Sequence, residues 1–268
     1  MKSLDDAILA IQAALSTLIE EDYGTFVIAT GVPVSSSKEE MSKLSLGLKG
    51  TMDIKITNDA TGEDKELKLK IDRCLVMPVC YGSYYEILKQ SGEQRAVDAV
   101  VVDIGAGATN VLTVYNGQLM RTASGSVKES ITTLAGRIAS NLNEQTGKIL
   151  RPFELVKAME SGRKAVMIAG ERYDISETID HYVASISEII TDELTNYLNT
   201  LPPDAWIEKV ILTGGGAYVF GDYLRNYLTE SNIVHSPEEV IIPDDPILSN
   251  VFGFQKIAQA QIKQKQKS

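Results

Sequence analysis

Two glycine turns carry the chemistry that can be read from this 268-residue sequence. The first is Asp103-Ile-Gly105-Ala-Gly107-Ala108-Thr109-Asn110, between the β-branched run Val97 to Val102 and a second run, Asn110 to Tyr115. Its glycine spacing looks like a dinucleotide fingerprint, but the third glycine is absent and a strand, not a helix, follows. What remains is a carboxylate at the end of a buried strand and a turn whose glycines expose backbone N–H groups. Such a row of amides binds phosphate oxygens, and Thr109 can add a hydroxyl donor. An Asp beside a phosphate is repulsive on its own, so the pattern implies a divalent cation or a positioned water. A plain hairpin turn with an Asx-type bond explains the same residues, and this turn taken alone does not choose. The second turn is Thr213-Gly214-Gly215-Gly216-Ala217, between the strand Val210 to Leu212 and a helix. Glycines there let a ligand approach the backbone, and the helix N-terminus favours an anion. A tight strand-to-helix turn is the plain alternative.

Other chemistries find no support. There is no Walker A sequence, no HExxH and no nucleophile elbow. The two histidines, His181 and His235, lack a metal or triad partner by spacing. Cys74 and Cys80 fit no zinc pattern and sit in apolar surroundings, which reads as buried thiols and points weakly to a reducing compartment. A net charge of −10 argues against a surface that coats nucleic acid. No apolar run reaches the ~18 residues of a membrane span, and the N-terminus carries early acids where a secretion signal has only basic charge. The expectation is a cytoplasmic protein with no membrane and no direct nucleic-acid partner.

The elements that would position the turns follow from periodicity. Leu4, Ile8, Ile11, Leu15 and Leu18 mark one face of a helix over 4–20. Strands are expected at 26–29, 51–57, 66–71 and 74–77, with a polar stretch at 35–43 and a short helix at 84–89. A meander over 97–122 turns at Asn116-Gly117, a strong hairpin signal. A helix is expected to start at Ser126, with Glu129 completing a capping box. A short helix at 153–160, a hairpin around Ala169-Gly170 and a long helix from Ser176 to Leu198 come next. A helix to about 228, a strand at 240–242 and a helix at 247–262 complete the reading, before a polar, frayed tail over 263–268.

The order strand–DIGxG–strand–NG–strand, then strand–TGGGA–helix, then Asp245-Pro-Ile-Leu-Ser-Asn250-Val-Phe-Gly253-Phe resembles the actin, sugar-kinase and heat-shock-chaperone ATPase superfamily. Within it, the sequence over 25–268 is most similar to ParM-type bacterial and archaeal actin-like proteins. The resemblance implies an α/β, actin-like (ribonuclease H-like) two-lobed fold binding ATP or ADP with Mg²⁺. Residues 1–96 would be the remainder of the first lobe, 97–220 the second lobe and 221–268 a return to the first. Asp103 would hold the cation or its water and serve as the catalytic carboxylate. Gly105, Gly107, Ala108, Thr109 and Asn110 would cradle phosphates, and Gly214, Gly215, Gly216 and Ala217 would face the adenosine. Lys157 and Glu160 would reach the ribose or base, against the plainer reading of a solvated helix face.

The resemblance starts past the family's first phosphate loop, so the first lobe is expected to be incomplete. Its sheet would then offer an open apolar edge to a partner strand, unless helix 4–20 covers it. Val79, after Pro78, stands where ParM-type proteins commonly carry a water-orienting Glu or Gln. The implied function is a filament-forming cytomotive protein, such as one that moves plasmids through an adaptor. A non-hydrolysing scaffold is the alternative, and a small-molecule kinase the third.

Overall fold

The computed structural model describes residues 4–265. They divide into two compact units, one formed by 4–79 and 252–265 and the other by 80–251. The sequence reading placed its breaks at 96/97 and 220/221 instead. The difference has a packing reason. Helix α3 (Tyr81–Gln90) and helix α7 (Ala217–Glu230) both pack on the sheet of the second unit, and strand β11 (Val240–Ile241) is hydrogen-bonded into it.

In the first unit, β1 (Tyr23–Val32) runs parallel to β3 (Asp64–Pro78), and β2 (Gly50–Thr57) pairs antiparallel with β3. The sheet order is β1-β3-β2. The two expected strands at 66–71 and 74–77 are one strand. A register shift pairs Phe26 with Ile71 but Val27 with Arg73, so Asp72 is the extra residue of a bulge. Helices α1 (Leu4–Ser16) and α2 (Lys38–Leu48) lie on one face, where Ile8, Ile11 and Leu15 meet Leu44, Leu48, Leu67 and Leu69. Helix α1 therefore covers a face of the sheet. Among the described residues, no strand pairs with the second edge of β1. Helix α2 replaces the expected polar stretch. It opens with a capping box in which Glu40 N–H donates to Ser37 Oγ (3.1 Å) and Ser37 N–H to Glu40 Oε2 (2.7 Å).

The second unit is built on the order β11-β10-β4-β5-β6, with β4 (Ala99–Ile104), β5 (Thr109–Tyr115), β6 (Gln118–Leu119) and β10 (Lys209–Thr213). Strands β4, β10 and β11 are parallel, and β4, β5 and β6 form the antiparallel meander. Asn116 and Gly117 both take positive φ (50° and 69°), which the two-residue hairpin requires. Val100, Val102 and Ile104 point into a large core with α4 (Ile131–Thr146), α6 (Ser176–Leu198) and α7. Val101, Leu112 and Ile211 lie on the opposite face, toward α3. Alternation along β4 thus puts Asp103 on the α3 face, opposite the large core.

One expected helix start is corrected. Ser126 lies in β7 (Gly125–Val127), which pairs with β5, and the cap of α4 is Ser130, whose Oγ accepts from Thr133 N–H at 3.2 Å. Glu129 instead reaches forward to Arg137, with Oε1 at 2.6 Å from Nη2. Helix α5 (Pro152–Glu160) leads to the hairpin of β8 (Ala165–Ile168) and β9 (Glu171–Asp174). Helix α8 (Ser249–Lys265) starts in the second unit, and the final residues of the expected frayed tail, 266–268, lie outside the described residues. No helix among the described residues is long and apolar enough to cross a membrane.

Candidate functional site

The two glycine turns meet. Both leave the C-terminal ends of parallel neighbours, β4 and β10, where Asp103 is paired with Thr213. Gly216 N–H donates to the Ile104 carbonyl at 2.8 Å, which ties one turn to the other. Glycine is required at this crossing. Gly214 has φ +80°, and a Cβ there would collide with the Asp103 carboxylate and the Ile104 carbonyl. A Cβ at Gly216 would run into the Ile104 side chain.

The turns open on one cleft of about 490 Å³ within the second unit. Gly105, Ala106, Gly215 and Gly216 form its backbone floor. Ile131, Val156, Met159, Tyr218, Val219 and Ile247 form apolar walls. The amides of Ala106, Gly107 and Ala108 have no acceptor among the described residues, nor does that of Gly215. Gly105 N–H is taken by the Ala108 carbonyl at 3.0 Å. The carbonyls of Gly105 and Ala106 cap the start of α4, accepting from Ile131 (3.3 Å) and Thr132 (3.0 Å). That docking fixes the first turn with its remaining N–H groups outward.

Asp103 is half-buried, and burial raises its carboxyl above the usual carboxylate range. Asn250 Nδ2 donates to its Oδ2 at 3.4 Å, while Asn250 Oδ1 accepts from Ser83 N–H at 3.0 Å. Behind it lies a buried hydroxyl cluster. Thr213 Oγ1 donates to the Pro246 carbonyl at 2.7 Å, and Ser249 Oγ lies 2.6 Å from Thr213 Oγ1 and 2.5 Å from Ser83 Oγ. Pro246 also accepts from Gly214 N–H at 2.8 Å, so the 245–250 segment holds the second turn in place. Cys80, at φ 76°, is fully buried beside this site, and burial pushes its thiol well above its usual range.

Several expected site residues are placed differently. Thr109 is fully buried and its hydroxyl donates to the Glu129 carbonyl at 2.8 Å, so it holds the turn from beneath and is no phosphate donor. Ala217 faces the core, with its N–H on the Gly214 carbonyl at 3.1 Å. Asn110 pairs with Asp103 across β4 and β5 and shares its face. Lys157 is exposed, its Nζ 4.8 Å from the centre of the Phe153 ring; α5 lines the cleft with Val156 and Met159 instead. Glu160 ends α5, and its side chain lies outside the described residues. Sequence reading missed the apolar walls, although Val156 and Met159 stand three apart on one helix face, the signal that could have found them.

Among the described residues, no basic side chain lines the cleft. No group of three His, Cys, Asp or Glu among the described residues could hold a metal ion. A single carboxylate completed by ligand phosphates is nevertheless how Mg²⁺ is commonly held. Asp103, half-buried at the end of β4, is a single carboxylate of that kind, although it is not among the residues that line the cleft.

This mixed sheet, with both turns at the ends of neighbouring parallel strands, defines an actin-like α/β fold. Residues 101–226 match the family model described as archaeal actin homologue MreB-like, C-terminal. Among solved structures, the chain is similar to the archaeal actin homologue Ta0583 in complex with ADP, at 21% identity and a TM-score of 0.74, over 94% of this chain and 76% of that one. It is similar to the actin-like protein Alp7A at 18% identity and a TM-score of 0.72, over 99% and 76% of the two chains. Bacillus thuringiensis ParM with AMPPNP matches at 16% identity and a TM-score of 0.63, over 96% and 72%. Among curated protein sequences none matches this chain.

Proposed function

We propose that this protein binds ATP and ADP in the cleft of its second unit and assembles into filaments. The observation that carries the reading is the convergence of two glycine turns on one apolar-walled cleft, tied by the bond from Gly216 to Ile104. Open amides of the first turn suit phosphate oxygens, and the apolar walls suit a planar base. Asp103 would hold Mg²⁺, which would neutralise phosphate charge, since among the described residues no basic side chain lines the cleft. Asn250 would keep the Asp103 carboxylate oriented. The similarity to Ta0583 with ADP, to a ParM with AMPPNP and to a pCBH ParM mutant called non-polymerisable supports both halves of the reading. A cytoplasmic, cytomotive role, with an adaptor carrying plasmid cargo, is the function we assign to such filaments.

A second reading is a scaffold that binds nucleotide but does not turn it over. It is favoured by Val79, an aliphatic residue where the resemblance expects a side chain that orients the attacking water. Phosphate release and pelleting, followed together with ATP and Mg²⁺, separate the readings. Release with pelleting supports the motor, and pelleting without release supports the scaffold. Calorimetry that finds no binding at millimolar adenine nucleotide overturns both.

A further inference from the structure

One edge of the first unit's sheet does not match its own sequence. From Phe26 to Val32, strand β1 reads Phe-Val-Ile-Ala-Thr-Gly-Val, a run without charge or proline. Runs of that kind belong to strands buried on both faces. Helices do cover both faces of β1. Phe26, Ile28 and Val32 join the apolar cluster that holds Ile8, Ile11 and Leu15 of α1. On the other face, a Cβ at Gly31 would meet the Phe254 ring of α8. There Thr25 and Val27 share a groove of about 270 Å³ with Gln261 and the partly exposed Ile262. Yet no residue of β1 is buried, and among the described residues only β3 pairs with it. A strand patterned for the interior of a sheet stands at its edge.

The opposite edge of the same sheet is guarded. Strand β2 carries Asp53 and Lys55, which pair with Lys68 at 3.8 Å and Asp64 at 2.7 Å on β3. Charges along an edge keep a further strand from adding to it. Over its ten residues β1 has none, so its free amides and carbonyls form a template. What fits there is extended, uncharged and apolar on both sides. The sequence holds such a strand in β1 itself. Like charges placed opposite one another destabilise a strand pair, and β1 set against β1 brings no charges together.

We infer that β1 pairs antiparallel with β1 of a second copy about a two-fold axis. Two sheets of three strands then become one of six, ordered β2-β3-β1-β1-β3-β2. Such a contact is isologous and closes at two copies. It lies wholly in the first unit, uses no residue of the nucleotide cleft and needs no nucleotide, so it goes beyond the function proposed above.

The test uses the full-length chain without nucleotide. Sedimentation velocity over about a hundredfold range of concentration should show a reversible monomer–dimer equilibrium. Hydrogen exchange of the amides in 23–32 should slow by about tenfold or more as the dimer fills, while β4 and β10 keep their rates. Thr25→Lys/Thr30→Lys puts two charges on the strand and should hold the protein monomeric at every concentration. Circular dichroism checks that this variant folds; if it does not, Thr25→Lys alone, at an exposed position, replaces it. Protein that stays monomeric, with β1 exchange independent of concentration, overturns the inference. So does a dimer that leaves β1 exchange unchanged, or one that survives the lysine substitutions. None of these results bears on the nucleotide and filament readings, because no ATP enters the experiment.

Discussion

At the residue scale, Gly214 and Gly216 were legible because the crossing of the two turns leaves no room for a side chain at either. Gly214→Ala places a Cβ against Asp103 and Ile104 at positive φ, so we expect a loss of about 2–4 kcal/mol in urea unfolding. Thr109 was misread because a hydroxyl next to a phosphate-type turn looks like a donor, and sequence does not show which way it faces. Thr109→Val should cost about 1–2 kcal/mol of stability by orphaning the Glu129 carbonyl, with nucleotide affinity in the folded protein unchanged by calorimetry. Asp103 makes the opposite prediction. Burial raises its carboxyl above the ordinary 3.8, so the native state holds the proton more tightly than the unfolded chain. Its contribution therefore falls as pH rises from 3.8 through the raised value. Asp103→Asn should raise the Tm of the ligand-free protein at pH 7, yet weaken Mg²⁺-dependent nucleotide binding by about tenfold or more.

At the element scale, strands read as apolar runs were found, but their joins were not. The runs at 66–71 and 74–77 seemed separate because the bulge at Asp72 breaks the alternation of β3. Helix α2 was missed despite Ser37 and Glu40, because its apolar face is narrow, with only Leu44 and Leu48 buried. The same scale holds an ion pair that fastens the loop before β4 to the start of β10. Arg95 grips Glu208 through two bonds, 2.8 and 2.6 Å, and Asp98 N–H adds a third at 3.1 Å. Arg95 holds the Glu208 carboxyl down at about 2. That stability is present above the ordinary 4.5 and is lost as pH falls through about 2. Because Arg95 is 62% exposed, screening limits the pair, and Glu208→Gln should cost only about 1 kcal/mol at pH 7. The difference from the parent should vanish in unfolding measured at pH 2.

At the scale of the whole molecule, order along the chain was the strongest signal. Two turns about a hundred residues apart meet only because β4 and β10 are parallel neighbours, an arrangement the resemblance implied and residue spacing alone does not. The two units differ in their cores. Among the described residues, seven apolar side chains are buried in the first, against forty in the second. Strand β1 adds to the contrast. Its sequence, YGTFVIATGV, has no charge and no proline, whereas the other edge, β2, carries Asp53 and Lys55. We expect amides of β1 to exchange with deuterium well before those of β4 and β10, and to slow if a partner strand occupies that edge. Equal protection in the two units of the protein on its own would refute this imbalance.

The single bond from Gly216 to Ile104 has a further effect. Because each bend braces the other, the floor of the cleft is already assembled before anything enters it. An occupant then loses little affinity to ordering the backbone beneath it, and a disturbance of either bend is transmitted at once to its twin.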